Sequence, residues 1–239
     1  MNIGIVCYAS VGGSGIVATE LAKCLAERGH GVHVISTDPP FRLGEYQAGL
    51  WFHRVNTPAY PLFREPQYLI SLATRIVQVA REFDLDVVHA HYAVPHATAA
   101  YLADQMLASA QGAQAPSTVT TLHGTDITLV GSDPSYARVV AFSIEQSGVV
   151  TAVSRSLRAD TIASLGVRHA IEVIPNFLDC AEDQRGVDET LRRELCPPGT
   201  AGVLMHASNF RPVKRVGAVL EVFRQVRTQI PARLVLIGD

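Results

Sequence analysis

A glycine-rich segment lies between the first predicted strand and the first predicted helix. Gly12, Gly13 and Gly15 surround Ser14 there, and glycine lets the backbone turn sharply and approach a ligand closely. The helix that follows begins with free N–H groups and the positive end of its dipole. The segment therefore predicts a site for an anionic group at Gly13, Ser14 and Gly15.

The same glycines also fit a second pattern. Gly13, Gly15 and Ala18 match G-x-G-x-x-A, and Asp38 follows the second predicted strand, as in NAD-binding proteins. The turn is looser than that fingerprint needs, because three residues separate the strand from the first glycine. An NAD-type oxidoreductase therefore stays open as an alternative. A hydrolase nucleophile elbow is excluded, because Ile16 stands where that motif needs glycine.

Three histidines and a tyrosine follow another predicted strand. His89, His91 and His96 flank Tyr92, and ligands of open α/β sheets gather at the carboxyl ends of strands. His89 and His91 share a strand face, but no cysteine or carboxylate joins them nearby, which disfavours a zinc site. We interpret Tyr92 and the histidines as polar walls of a binding site, with one histidine buried as a hydrogen-bonded core group.

A third strand end carries Thr121, His123, Gly124 and Asp126. The glycine beside His123 allows a ligand to approach closely, and the neighbouring carboxylate can orient or charge an imidazole. Polar clusters at several strand ends predict one shared site, since such ends meet at one edge of a parallel sheet.

Two later segments carry further candidates. Asn176 lies at the end of the last predicted strand before the composition changes, and it is a candidate site residue. Alternatively, it only forms a turn where the chain leaves the domain. Arg211, Lys214 and Arg215 open a predicted helix. Cations oppose the dipole at a helix N-terminus, so a bound phosphate would explain them, and a solvated basic turn is the alternative.

Strand and helix patterns alternate along the chain. The predicted strands are Ile3–Tyr8, Val32–Ser36, Leu50–Val55, Asp86–His91, Thr118–Leu122, Gly148–Val153, Ile171–Ile174, Gly202–Ala207 and Arg233–Ile237. The predicted helices are Gly15–Arg28, Gln67–Phe83, Pro95–Ala110, Pro134–Ser147, Ser154–Leu165 and Lys214–Gln229. The alternation predicts an α/β fold with right-handed crossovers and a parallel sheet covered on both faces.

The composition changes after Pro175, which predicts a domain boundary. We expect a complete Rossmann-like, acceptor-binding domain over residues 1–178, a linker over 179–200, and the first βαβ unit of a second Rossmann-like, donor-binding domain over 201–239. One βαβ unit cannot bury both faces of its strands. We therefore expect the chain to be a fragment of a longer protein.

Bulk composition narrows the classes of function. The 239 residues are 48% hydrophobic and 18% charged with a net charge of −2, which gives no support to a nucleic-acid or anionic-membrane partner. No apolar run is long enough to span a bilayer. No secretory signal precedes the first strand, and four scattered cysteines suit reduced thiols, so we predict a cytoplasmic protein. The sequence does not determine the oligomeric state, and it is compatible with a homo-oligomer.

Together these segments resemble the retaining GT-B glycosyltransferases of family 4. The resemblance runs along the whole chain and rests on CYASVGGSGIVATELA, HAHYAVPHA, VTTLHGTDIT, VTAVSRSL, EVIPNF and HASNFRPVKRV. It implies two Rossmann-like domains facing a cleft, with no cofactor and no metal. More narrowly, it implies transfer of N-acetylglucosamine from UDP-GlcNAc to L-malate, the first step of bacillithiol biosynthesis. Another acceptor on the same scaffold and a non-catalytic ligand-binding fragment are the alternatives.

The resemblance also implies roles for individual residues. Three loop residues would contact malate or the donor phosphates: Gly13, Ser14 and Gly15. Three would help to hold malate: Tyr92, Thr121 and Asn176. Three would be catalytic, the first lining the donor-sugar site and the others binding the diphosphate: His123, Arg211 and Lys214. The family's later carboxylates and its uridine pocket fall beyond the last residue, so we expect this chain alone to be inactive.

Overall fold

A computed structural model describes residues 1–10, 12–44, 47–59, 67–109, 115–177 and 186–238. The chain forms two compact units, Met1–Leu178 and Asp179–Asp239. The assignment of an acceptor-binding role to the first and a donor-binding role to the second stays a prediction.

The first unit is built on a seven-stranded parallel sheet. Its strands are β1 (Asn2–Val6), β2 (Gly31–Ser36), β3 (Leu50–Arg54), β4 (Val87–His91), β5 (Ser117–Leu122), β6 (Val149–Ala152) and β7 (Ile171–Val173). They lie in the order β3-β2-β1-β4-β5-β6-β7, and every neighbouring pair is parallel. The α/β class and all seven predicted strands are confirmed, with ends shifted by at most two residues.

Helices cover both faces of this sheet. They are α1 (Gly13–Glu27), α2 (Tyr68–Phe83), α3 (Thr98–Ala108), α4 (Pro134–Glu145) and α5 (Arg155–Leu165). Helix α1 packs on the face that carries Ile3 and Ile5. Helices α2 and α3 pack on the opposite face, against Val6, Ile35 and Val88, because side chains alternate between the faces of a strand. No helix in the described ranges is both long and apolar enough to cross a membrane.

Two turns next to the strand ends were not predicted. The helix predicted over Pro95–Ala110 is interrupted, because Ala93–Ala97 forms a separate wide turn before α3 begins; Ala110 lies outside the described residues. A second wide turn covers Asp126–Val130. Both turns lie where the chain leaves the carboxyl end of a strand, and they place the backbone around the polar clusters.

The second unit contains two parallel strands, β8 (Gly202–Ala207) and β9 (Ala232–Ile237), with α6 (Glu189–Leu195) and α7 (Val216–Arg227). Both predicted strands are present. Helix α6 lies inside the predicted linker, of which residues 179–185 fall outside the described part. The helix begins there because the Asp188 carboxylate accepts the N–H groups of Thr190 (2.9 Å) and Leu191 (3.0 Å).

Candidate functional site

The carboxyl ends of β1, β4 and β5 bring three of the predicted clusters together. The direction of strand addition reverses between β1 and β4, and such a switch point opens a crevice for ligands. Tyr8 follows β1 and Tyr92 follows β4, with ring centroids 5.6 Å apart. The His123 ring, after β5, lies 5.1 Å from that of Tyr92. The predicted meeting of these strand ends is therefore present in the structure.

The glycine loop leads directly into α1. A Cβ atom on Gly15 would lie 2.5 Å from the carbonyl oxygen of Ser10 and 2.9 Å from that of Tyr8, so only glycine fits. Gly13 is exposed, with no atom within 4 Å of such a Cβ. Gly12 caps the helix without a side-chain bond to its first N–H groups, which suits an anion there. The binding roles of Gly13, Ser14 and Gly15 stay predictions.

Thr121 is buried and bonded to its neighbours. Its hydroxyl lies 2.7 Å from Nε2 of His89 and 2.7 Å from the hydroxyl of Thr151. The side chain is 8% exposed. Thr121 therefore orders the partly exposed His89 ring. Its predicted role in holding malate stays a prediction.

His91 and His123 form a pair of hydrogen-bonded imidazoles. Nδ1 of His91 lies 2.9 Å from Nε2 of His123. The backbone of the His123 loop is fixed by Asp126, whose Oδ1 accepts the N–H groups of His123 (3.2 Å) and Gly124 (2.9 Å). The second oxygen of Asp126 accepts the N–H of Ala93 at 3.3 Å. One buried carboxylate thus joins the loops that follow β4 and β5.

A second hydrogen-bonded pair, His96 and Tyr68, lies near Tyr92. Nδ1 of His96 donates to the carbonyl oxygen of His91, and the Tyr68 hydroxyl lies 3.3 Å from the remaining His96 nitrogen. The ring of Tyr8 packs against His96, with centroids 4.4 Å apart. His96 is fully buried, and it fits the predicted hydrogen-bonded core histidine. Sequence reasoning missed Tyr8 and Tyr68, although Tyr8 lies directly beside the glycine segment.

Burial keeps these imidazoles neutral near pH 7. Desolvation lowers the pKa of His89, His96 and His123 to about 4. No group of three His, Cys, Asp or Glu side chains in the described ranges is placed to hold a metal ion. As neutral rings, the histidines can each donate one hydrogen bond and accept one.

Tyr92 has a strained backbone conformation, with φ 93° and ψ 141°. This region is largely restricted to glycine, and holding another residue there costs of order 1–3 kcal/mol. Two backbone bonds fix it: its N–H donates to the carbonyl of Thr121 at 3.0 Å, and its own carbonyl accepts the N–H of Ala97 at 3.1 Å. With the backbone in this conformation, the tyrosine ring lies beside those of Tyr8 and His123.

The remaining predicted residues lie elsewhere. Asn176 is exposed beyond β7, at the opposite edge of the sheet from β3 and three strands away from β4. In the second unit, Arg211 and Lys214 are exposed around a short turn that follows β8. Arg215, with φ 51°, links that turn to α7. The roles predicted for Asn176, Arg211 and Lys214 stay predictions.

The acidic residue needed by the NAD alternative is already paired. Oδ1 of Asp38 lies 2.8 Å from Nη1 of Arg54, and both side chains are exposed. An NAD site needs that carboxylate to accept the ribose hydroxyls. The loop is also long for this motif, because residues 7–12 separate β1 from α1.

Comparison with known proteins identifies the class. Residues 11–182 match the model of Glycosyltransferase Family 4. The chain belongs to this family. It is also 45% identical over all 239 residues to N-acetyl-alpha-D-glucosaminyl L-malate synthase of Bacillus anthracis, and it spans 61% of that relative's length. This membership removes the support for an oxidoreductase.

Solved structures show the same fold at low sequence identity. Sucrose-phosphate synthase of Thermosynechococcus elongatus is 17% identical with a TM-score of 0.71, over all of this chain and 62% of that one. HepE of Anabaena, solved in complex with UDP-glucose, is 18% identical with a TM-score of 0.65, over all of this chain and 70% of that one. The predicted GT-B type of α/β fold is confirmed.

Proposed function

We propose that the protein is a retaining glycosyltransferase that moves N-acetylglucosamine from UDP-GlcNAc to the hydroxyl of L-malate. The observation that carries the proposal is 45% identity along the whole chain to a glucosaminyl L-malate synthase. The polar clusters at the carboxyl ends of β1, β4 and β5 support it, because they meet at the switch point of the sheet, where open α/β folds bind small molecules. A cytoplasmic location is part of this proposal.

The first unit would bind the acceptor. Malate carries two carboxylates, which need several hydrogen-bond donors. The start of α1 supplies N–H groups at Gly13, Ser14 and Gly15 without a full cationic charge. Tyr92 and Asn176 would add side-chain donors, and Thr121 would act by fixing the ring of His89.

The second unit would bind the donor diphosphate. Arg211 and Lys214 lie around the turn that follows β8 and leads towards α7. Two cations there can stabilise the negative charge that develops on UDP as the sugar leaves, without a metal ion. In a front-face transfer the malate hydroxyl attacks carbon 1 of the sugar on the side that the phosphate leaves. The C–O bond to phosphate breaks, the bond to malate forms, and the phosphate oxygen takes the hydroxyl proton.

Malate-dependent release of UDP tests the proposal directly. The full-length protein with UDP-GlcNAc and L-malate should release UDP and form an α-linked product. Succinate is the matched acceptor, because it keeps both carboxylates but lacks the attacking hydroxyl. It should inhibit transfer and support no release above the rate without acceptor. Transfer to a different hydroxyl compound, with none to malate, would assign another acceptor to the same scaffold.

A pair of adjacent threonines separates acceptor binding from general damage to the sheet. Thr121→Val removes the hydroxyl that holds His89, so we expect the KM for malate to rise several-fold more than the KM for UDP-GlcNAc. Thr120→Val is the control, because Thr120 is also buried but its hydroxyl bonds to Ser147 at 2.7 Å on the opposite face. Equal effects on both KM values in the Thr121 variant would contradict its acceptor role.

A further inference from the structure

His91 presents two ring nitrogens in very different surroundings. It is the last residue of β4 and is 1% exposed. Its Nδ1 lies 2.9 Å from Nε2 of His123. Its Nε2 is buried and has no hydrogen-bond partner in the part of the chain that the structure describes. The ring therefore makes one polar contact on one side and none on the other.

This difference selects one tautomer of His91. A neutral imidazole carries its proton on one nitrogen only. Burial lowers the pKa of His91 well below its ordinary value, so the neutral ring is the relevant form. A proton on Nδ1 is used in the bond to His123, whereas a proton on Nε2 would be a buried donor without an acceptor. Folded proteins avoid orphaned N–H groups more strictly than unpaired acceptors, so His91 donates from Nδ1.

The tautomer of His91 then determines that of His123. If Nε2 of His123 accepts this bond, it carries no proton, and the proton of the neutral ring lies on Nδ1. That Nδ1 makes no hydrogen bond within the described ranges. We propose that His91 is a positioning residue that holds His123 as an Nδ1–H donor for an oxygen of the donor sugar. The role towards the sugar rests on the proposed function, whereas the tautomer does not.

The assignment has a chemical consequence for the site. An imidazole whose Nε2 is occupied by His91 and whose Nδ1 is protonated cannot accept a proton from a substrate hydroxyl. His123 would therefore orient the sugar and take no part in proton transfer. This agrees with a transfer in which the leaving phosphate oxygen accepts the proton of the attacking hydroxyl.

The tautomers can be measured without an activity assay. Long-range ¹H–¹⁵N correlation spectra of the labelled full-length protein show which nitrogen of each imidazole is protonated, and loss of a signal in His123→Gln assigns that ring. We expect both His91 and His123 to carry their protons on Nδ1. A His123 ring protonated on Nε2 overturns the proposal, whether or not the protein transfers a sugar. An Nδ1–H tautomer without malate-dependent transfer instead refutes the proposed function and leaves the tautomer assignment standing.

Two amide substitutions at His91 provide a matched pair. The amide of asparagine reaches the place of Nδ1, and that of glutamine reaches the place of Nε2. We expect His91→Asn to keep the Nδ1–H tautomer of His123 and most of kcat. His91→Gln should lose this tautomer and lower kcat by about 10- to 100-fold, the scale for losing an outer residue that orients a functional histidine. Equal loss of kcat in both variants, with the tautomer retained, would show that His91 only fills space.

Discussion

At the scale of single residues, two glycines of the same loop differ in what they contribute. Gly15 is buried against two backbone carbonyls, whereas Gly13 starts α1 with open space around it. In the sequence, both glycines belong to one glycine-rich motif and cannot be told apart. Only the structure shows that close backbone contact explains Gly15, while Gly13 is left with a role at the ligand or none.

This difference predicts that the same substitution is destabilising at Gly15 and nearly neutral at Gly13. Gly15→Ala forces a methyl group to within 2.5 Å of the Ser10 carbonyl, so the loop must move, and we expect a loss of about 1–3 kcal/mol in the free energy of unfolding. Gly13→Ala, the control, should change it by less than about 0.5 kcal/mol. Urea unfolding of the full-length protein measures both. Equal stability of the two variants would show that the loop does not have this conformation.

At the scale of elements, β2 and β3 carry a second histidine pair away from the candidate site. Nδ1 of His33 lies 2.9 Å from Nε2 of His53, and the His33 ring packs between Trp51 and Phe83. Desolvation lowers the pKa of both histidines to about 4. For His33, repulsion from His53 adds to desolvation in lowering the pKa to this value, while Glu82 opposes the shift.

The pair makes stability depend on pH in a definite direction. A histidine with a pKa of about 4 when folded and about 6.5 when unfolded takes up protons on unfolding between these values. The contribution of such a histidine to the free energy of unfolding is complete above pH 6.5 and is lost as the pH falls towards 4. The unchanged protein should lose free energy of unfolding between pH 7 and pH 5. We expect this loss to be smaller in the double variant His33→Gln, His53→Gln, by at most about 2 kcal/mol for each histidine. His30→Gln, just before β2, is the control, and an unchanged pH dependence in the double variant would contradict the assignment.

The sequence predicts the strands better than the turns that follow them. Strand positions follow from short apolar runs, and their carboxyl ends share one edge in any parallel sheet, so the meeting of Tyr92 with His123 could be predicted. The turn Asp126–Val130 depends on a carboxylate that accepts N–H groups from two loops. Helix α6 depends on one cap at Asp188. Elements that depend on one long-range contact or on one capping residue do not produce a periodic pattern of apolar residues in the sequence.

The hydrogen-bond partners of these side chains also could not be predicted from the sequence. The bonds from His91 to His123 and from His89 to Thr121 each join residues 32 positions apart, one on β4 and the other on β5 or directly after it. The sequence marks these residues as polar groups at strand ends, but which nitrogen meets which partner depends on register and side-chain rotation. The position of Asn176 beyond β7, three strands away from β4, also follows only from the sheet order.

At the scale of the whole molecule, the two units differ in how much they bury. Among residues 186–238 only Ala232 is buried, and strand residues such as Met205 (60% exposed) and Ile237 (50% exposed) face outward. We therefore expect amide hydrogens in β8 and β9 of the 239-residue chain to exchange roughly 100-fold faster than those in β1, β4 and β5. Hydrogen exchange followed by mass spectrometry measures this. Equal protection of the two sets would show that the second unit is stabilised by contacts other than its own core.

Trp51 is the only tryptophan of the chain, and it stacks on His33 with ring centroids 4.8 Å apart. The tryptophan fluorescence of the 239-residue chain therefore reports on the first unit, at the edge formed by β2 and β3, whereas circular dichroism averages over both units. A protonated imidazole quenches an indole that it touches. A loss of emission on acidification that precedes any loss of ellipticity would thus record the titration of His33 inside a folded sheet.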